Sequence, residues 1–406
     1  MTIMENCGNL NMNASLKFDI VVYGATGFTG QLVAEYLAAR YGGDSQLKWA
    51  MAGRSLDKLK SVRDAIGAPA ETPLIAVDSG DVDALKAMVE VTRLVISTVG
   101  PYQLYGSDLL AACAASGTDY IDLCGEPIWM RQMIDSHLAA AERSGARIVF
   151  SCGFDSLPFE LGVFFCQQAA KKAFGAPAAR VKGRIRDMTQ AVSGGTYASI
   201  KATFAAAAKD LSLVAMLKDP FVLTPGFTGP KQPPGNKPVL DQDLNSWTAP
   251  FPMSTINTRN IHRSNMLMGF SYGRDFVYDE MVLTGPGEQG QANAKLVMVA
   301  TNKMSGSEGP KPGEGPSKEE RESGSYDLLF VALAPDGKQA RITVGGDCEP
   351  GYASTSKMIA ECAICLLRDA REVPAGIWTP GAAMGDRLIK RLVEHAGMTF
   401  TVEENG

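Results

Sequence analysis

Histidine is scarce in this chain, at three in 406 residues, and basic charge is not in surplus. Lys plus Arg number 39 against 44 Asp plus Glu, for a net charge of −5. That balance argues against a general nucleic-acid binder, which needs a basic face to neutralise phosphates. The eight cysteines are too sparse for a disulfide scaffold, and neither they nor the histidines show metal-site spacing. Cys362 and Cys365 form a CxxC inside an apolar stretch of helical character, 358–367, which reads as a buried helix face rather than a redox or zinc pair. Free buried thiols fit a reducing compartment. No apolar run reaches the ~18 residues that a membrane span requires. Residues 1–16 lack the basic and apolar regions of a signal peptide and read as a loose tail. These absences together suggest a cytoplasmic chain with no bound metal, no nucleic-acid partner and no integral membrane span.

What is present is rhythm. From residue 18 to about 155, short apolar runs (18–23, 47–52, 74–77, 94–98, 120–123, 147–150) alternate with amphipathic segments of helical length. Runs this apolar are buried on both faces, as in a parallel sheet covered by helices. The alternation predicts βαβ units and a Rossmann-type doubly wound sheet over 17–156. After Leu157 the pattern changes to a helix, an alternating strand at 179–187 and a Pro- and Gly-rich stretch at 219–252 that reads as an extended loop. Thirteen of the 21 residues from 305 to 325 are Gly, Pro or Ser, which predicts a mobile loop. Pro335-Asp336-Gly337 between two alternating segments signals a hairpin. Residues 157–350 therefore read as an α+β substrate or oligomerisation domain with antiparallel strands, followed by C-terminal helices at 351–406. An exposed strand edge there leaves room for a homodimer.

The strongest motif is Gly24-Ala25-Thr26-Gly27-Phe28-Thr29-Gly30, between the first apolar strand and the first helix. In that context Gly24 permits a tight turn, Gly27 lets a pyrophosphate approach the backbone, and Gly30 lets the helix pack on the strand. Amides at the helix N-terminus, including those of Phe28 and Thr29, then meet the phosphates. The second strand ends Gly53-Arg54-Ser55 with no carboxylate to accept ribose hydroxyls or to repel a 2′-phosphate. Arg54, helped by Ser55, can bind that phosphate, so NADP(H) is favoured over NAD(H). Asp78 closes the third strand at the adenine edge. Thr98, Val99, Gly100 and Pro101 follow the fourth strand, where ligands of this fold lie.

The fifth and sixth strands end Asp122-Leu123-Cys124-Gly125-Glu126 and Ser151-Cys152-Gly153-Phe154-Asp155-Ser156. Tyr102, Tyr105, Glu126 and Asp155 are the candidates for proton work, Tyr102, Glu126 and Asp155 foremost, each with a structural alternative such as a helix cap. Gly194-Gly195-Thr196 opens a helix and offers an anion nest, so Gly195, Thr196 and Tyr197 are the substrate-binding candidates. Tyr197 and Lys201 also spell YxxxK, but outside the strand context in which that pair catalyses.

Taken in order, 23–30, 52–55, 99–102, 122–126 and 152–156 resemble the saccharopine dehydrogenase-like oxidoreductases, and most closely their trans-acting enoyl reductase branch. The resemblance is strong over about 18–200 and weaker from 340 onward. It implies a nicotinamide cofactor and a C-terminal segment that returns to the first domain. It further implies reduction of a conjugated C=C in a fatty-acyl or polyketide chain, on a small acyl substrate or one held by an acyl carrier or synthase. True saccharopine enzymes act instead on a C–N bond, through an imine, and need basic residues to hold several carboxylates. Arg184, Arg186, Lys201, Arg259, Arg263 and Arg274 could contribute, but they form no compact set along the chain. A third expectation, from a different class, is a regulator that binds NADP without transferring hydride.

Overall fold

A computed structural model describes residues 16–189, 199, 202, 210–304 and 315–404. Strand β1 (Phe18–Tyr23) shows why the first half of the chain is so apolar. Ile20 and Val22 enter one hydrophobic cluster, Val21 and Tyr23 the other, so each successive side chain is buried on an opposite face. The same applies to β2 (Trp49–Gly53) and β4 (Thr92–Ser97), with β3 (Leu74–Ala76) at the edge. With β5 (Asp119–Asp122) and β6 (Arg147–Val149) they form a parallel sheet.

The crossovers are helical: α1 (Phe28–Tyr41), α2 (Leu56–Ala65), α3 (Val82–Val89), the short α4 (Tyr102–Tyr105), α5 (Ser107–Ser116) and α6 (Pro127–Ser144). Helix α7 (Leu157–Phe174) then leads into a second, mixed sheet. Its strands are β7 (Arg180–Met188), β8 (Val239–Asp241), β9 (Ser246–Pro250), β10 (Val277–Gly285), β11 (Tyr326–Leu333) and β12 (Gln339–Gly346). The helices of this region are α8 (Leu211–Lys218), α9 (Ser254–Leu267), α10 (Gly287–Met304) and α11 (Lys318–Glu322).

The C-terminal part divides itself between the two sheets. Helix α12 (Thr355–Arg368) packs on α1, and β13 (Gly376–Trp378) adds a seventh parallel strand beside β6. After α13 (Pro380–His395), β14 (Met398–Val402) pairs antiparallel with β12. The sheet orders are β13-β6-β5-β4-β1-β2-β3 and β14-β12-β11-β7-β10-β9-β8. The order reverses beside β1 and β4, the switch point where ligands of such sheets lie. Glu361, fully buried on α12, accepts hydrogen bonds from Tyr36 (2.6 Å) and Tyr41 (2.8 Å) of α1 and pairs with Arg391 of α13 at 3.0 Å. This buried charge is matched on every side, as such a charge must be.

The hairpin at Pro335–Gly337 forms as the sequence indicates, joining β11 to β12. Two other stretches differ. Residues 219–252 contain the β8–β9 hairpin rather than loop alone. Residues 305–314 lie outside the described residues, but 318–322 are helical. The capping box of Ser317 and Glu320 satisfies two of the amide donors at the start of α11, which a Gly/Pro/Ser count does not register. Cys362 and Cys365 are fully buried on α12, as a helix face.

Candidate active site

The turn between β1 and α1 gives each glycine a different reason. Gly24 has φ +92°, a conformation that L side chains rarely adopt, and a methyl there would lie 2.6 Å from Val99 Cγ2. A methyl on Gly30 would run into the Gly24 carbonyl and sit 2.8 Å from Thr98 Oγ1, so glycine fixes how closely α1 approaches the strand end. Gly27 is different. Its φ −80° and ψ 163° suit any residue, it is exposed, and a methyl would meet only the Gly24 oxygen, at 3.3 Å. Neither backbone strain nor neighbouring atoms require glycine at 27, so the space in front of it is left open by the fold. Gln31 N–H is bonded to the Gly27 carbonyl at 2.9 Å. The amides of Phe28, Thr29 and Gly30 precede that bond and form the positive end of α1. This cradle fits the diphosphate of a dinucleotide.

Thr98 Oγ1 donates to the Tyr23 carbonyl (3.1 Å), tying the fourth strand end to the turn, and Val99 and Gly100 follow beside it. Pro101 is in a cis peptide bond with exposed Gly100. Thr26 lies beside Gly53 at the end of β2, with its carbonyl accepting from Gln31 Nε2 (3.0 Å). Arg54 is exposed just beyond, and Ser55 caps α2 by accepting from Lys58 N–H at 3.3 Å. Asp78 accepts from Gly80 N–H at 2.9 Å in the neighbouring turn. Burial, with Asp78 acting in the same direction against Arg54, pushes the Tyr23 hydroxyl up to about 12. Arg54 and Asp78 thus both act electrostatically on Tyr23, at the end of β1.

Of the three proton candidates, the structure gives two a structural task. Tyr102 is buried; its hydroxyl donates to the Ser97 carbonyl (3.0 Å) and accepts from Leu123 N–H (3.1 Å). Burial and Asp122 hold its pKa well above the ordinary phenol. Both carboxylate oxygens of Glu126 accept backbone N–H groups at the start of α4, from Tyr102 (2.8 Å) and Gln103 (2.9 Å). Asp155 is half-buried, and burial together with the field of Glu349 pushes its carboxyl up to about 6. Tyr105 is exposed on α4. Gly195, Thr196, Tyr197 and Lys201 lie outside the described residues, although Ser199, from the same segment, lies against Gly100.

Sequence reading did not single out the groups that brace this edge. Asp122 is fully buried and accepts from Cys124 N–H (3.0 Å), Ser151 N–H (2.9 Å) and the Tyr120 hydroxyl (3.1 Å), joining the ends of β5 and β6. Burial still lifts it to about 7. Ser151 is held at φ +62° with its hydroxyl on the Cys124 carbonyl (2.6 Å). Glu349, 194 residues beyond Asp155 in the chain, accepts from Gly351, Tyr352 and Ala353 N–H. No local pattern announces that Asp122 reaches Ser151 or that Glu349 acts on Asp155.

Comparison with known proteins agrees with this geometry. Residues 20–149 match the family described as the saccharopine dehydrogenase NADP binding domain. A Mycobacterium tuberculosis protein named as a candidate trans-acting enoyl reductase is 38% identical over 403 residues, covering 93% of this chain and 95% of that one. A trans-acting enoyl reductase of Mycobacterium ulcerans is 34% identical over 414 residues, covering 94% and 96%. Among solved structures, the apo saccharopine dehydrogenase (L-Glu forming) of Saccharomyces cerevisiae aligns with a TM-score of 0.55 at 12% identity, over 95% of this chain and 100% of that one. At that identity the likeness is one of fold alone.

Proposed function

Since the chain belongs to the trans-acting enoyl reductases and carries the saccharopine dehydrogenase NADP-binding domain, it is an NADP(H)-dependent enoyl reductase, and we propose that it works on a fatty-acyl or polyketide thioester presented by a partner synthase. The bound dinucleotide supplies the hydride. Gly24, Thr26, Gly27, Phe28, Thr29 and Gly30 shape the diphosphate cradle, Arg54 with Ser55 takes the 2′-phosphate beside Asp78, and Thr98–Pro101 flank the nicotinamide end. Asp155, lifted to about 6, is the proton donor at the same edge in its protonated form, and Gly195, Thr196 and Tyr197 meet the substrate. The exposed edge strand β8, with Val239 and Leu240, is the surface a homodimer would use.

The observation that carries the substrate reading is the fate of the basic side chains. Arg184 pairs with Asp241 and Asp279 at 2.9 Å each, and Arg186 with Glu403. Arg259 donates to the Thr255 and Leu217 carbonyls, and Arg263 to those of Leu223 (2.8 Å) and Ile377 (2.6 Å). Arg274 lies over the Phe270 ring at 4.2 Å. Among the described residues of this set, four are held by carboxylates or carbonyls and exposed Arg274 lies over ring faces, which leaves little to hold a substrate bearing several carboxylates. An acyl chain makes no such demand. The test is NADPH oxidation, followed optically, against a panel of enoyl thioesters, imino acids and ketones. Turnover of the enoyl thioesters alone is expected. Turnover of imino acids would move the protein to C–N chemistry, and tight NADPH binding with no turnover of any class would make it a regulator.

A further inference from the structure

A cation from a distant part of the chain stands beside Phe28 of the phosphate turn. Arg321 is in α11, 293 residues beyond Phe28 in the chain, on the segment that enters the second sheet. Its guanidinium lies 5.7 Å from the centre of the Phe28 ring. Phe28 is the first residue of α1, and its N–H belongs to the cradle described above. The ring is also met edge-on by Tyr352 at 5.2 Å, and Gly315 lies so close against it that a methyl there would enter the ring. Phe28 is therefore a seat on which the 315–322 segment rests.

The segment is held in place independently of any ligand. Ser317 and Glu320 close the capping box of α11, and the Arg321 carbonyl accepts from Glu349 N–H at 2.9 Å. Arg321 Nη1 donates to the Pro316 carbonyl at 2.8 Å, which aims the fork and uses one of its five N–H donors. Among the described residues Arg321 is in no ion pair. The carboxylate whose field it shares, Glu349, already accepts three backbone N–H groups. A half-buried guanidinium with unused donors, beside the positive end of α1, is placed for an anion.

We propose that Arg321 is a diphosphate-binding residue of the cofactor site, carried to the phosphate turn by the segment leading into the second sheet and seated on Phe28. The cradle then has a side that the Rossmann turn does not supply. This rests on the dinucleotide reading above.

The test titrates NADPH and NADH calorimetrically into the full chain and into Arg321→Gln and Arg321→Lys, with 2′-AMP, which has no diphosphate, as a third ligand. Arg321→Gln should weaken NADPH and NADH alike, by about tenfold, the worth of one charge-assisted hydrogen bond. It should leave 2′-AMP unchanged. Arg321→Lys should recover part of the loss, and the gap from wild type should narrow as salt rises. Unchanged NADPH affinity in Arg321→Gln overturns the proposal, as does a loss confined to NADPH, which would put the guanidinium at the 2′-phosphate. If the wild type binds neither dinucleotide, the parent reading fails instead.

Discussion

Gly27→Val separates the fold of the phosphate turn from its use. The backbone at 27 is extended and open to any residue, and an added Cβ meets one atom, the Gly24 oxygen at 3.3 Å. The structural penalty is therefore small: valine is a poorer N-cap than glycine, a loss of at most about 1 kcal/mol, or roughly 2–4 °C in Tm. The effect on ligand binding is of another size. The valine methyls fill the space through which a diphosphate reaches the amides of Phe28, Thr29 and Gly30. Losing two charge-assisted hydrogen bonds at about 1.5 kcal/mol each amounts to about 3 kcal/mol, a factor of roughly 100 in Kd. Calorimetry with NADPH and NADH reads the affinity, and a thermal melt of the ligand-free protein reads the fold. Gly27→Ser, which restores a good cap while keeping the Cβ, guards against a folding artefact. A Kd within threefold of wild type in a normally melting Gly27→Val protein would refute the assignment of this turn.

Three further outcomes are expected. If Arg54 holds the 2′-phosphate, Arg54→Glu replaces its guanidinium with a repelling carboxylate, so NADPH affinity should fall by roughly 100-fold while NADH changes far less; equal losses in parallel titrations would count against Arg54. If Asp155 supplies the proton, it must be protonated to act, so kcat in the wild type should decline as pH rises through about 6, the value to which burial and Glu349 lift it. Asp155→Asn should lower kcat by at least about 100-fold and abolish that limb of the profile, and an unchanged profile would remove Asp155 from the chemistry. Glu160 concerns stability. It is fully buried, accepts from Ser264 Oγ (2.6 Å) and Gly381 N–H (2.7 Å), and burial raises it from 4.5 to about 7. A raised folded-state pKa gives stability that is complete below 4.5 and is lost as pH climbs through about 7, on the order of 3 kcal/mol in all. Glu160→Gln, which cannot ionise, should show a flatter Tm between pH 4.5 and 8, and a melt profile as steep as that of the wild type would contradict this.

The legible parts of this molecule are those whose cause is local. The glycine turn announces itself because its three glycines fall at fixed spacing between an apolar strand and a helix, although the atoms that exclude a side chain at Gly24 belong to Thr98 and Val99. The buried strands announce themselves because both faces of β1 are covered, which makes the run continuously apolar. The parts that escaped have distant causes. Strand β13 is three residues long and has no periodicity of its own; it exists because β6 offers it an edge. Helix α11 lies in a stretch whose composition suggests no order, yet one capping box and a contact with Phe28 fix it. Tyr102 and Glu126 have the right chemistry in the right order for proton transfer, and only the structure shows their oxygens occupied by Ser97, Leu123, Tyr102 and Gln103. The residue types were readable; which partner each had already taken was not.

The last fifty or so residues place β13 on one sheet and β14 on the other. Both strands follow every other described strand in the order of synthesis. Until they emerge, β6 and β12 present bare edges, and an unpaired edge invites other chains. The parallel sheet therefore lacks its seventh strand until residues 376–378 have been made. Proteolytic loss of the C-terminal stretch would strip both layers at once, so each half depends for completion on the same final piece of chain.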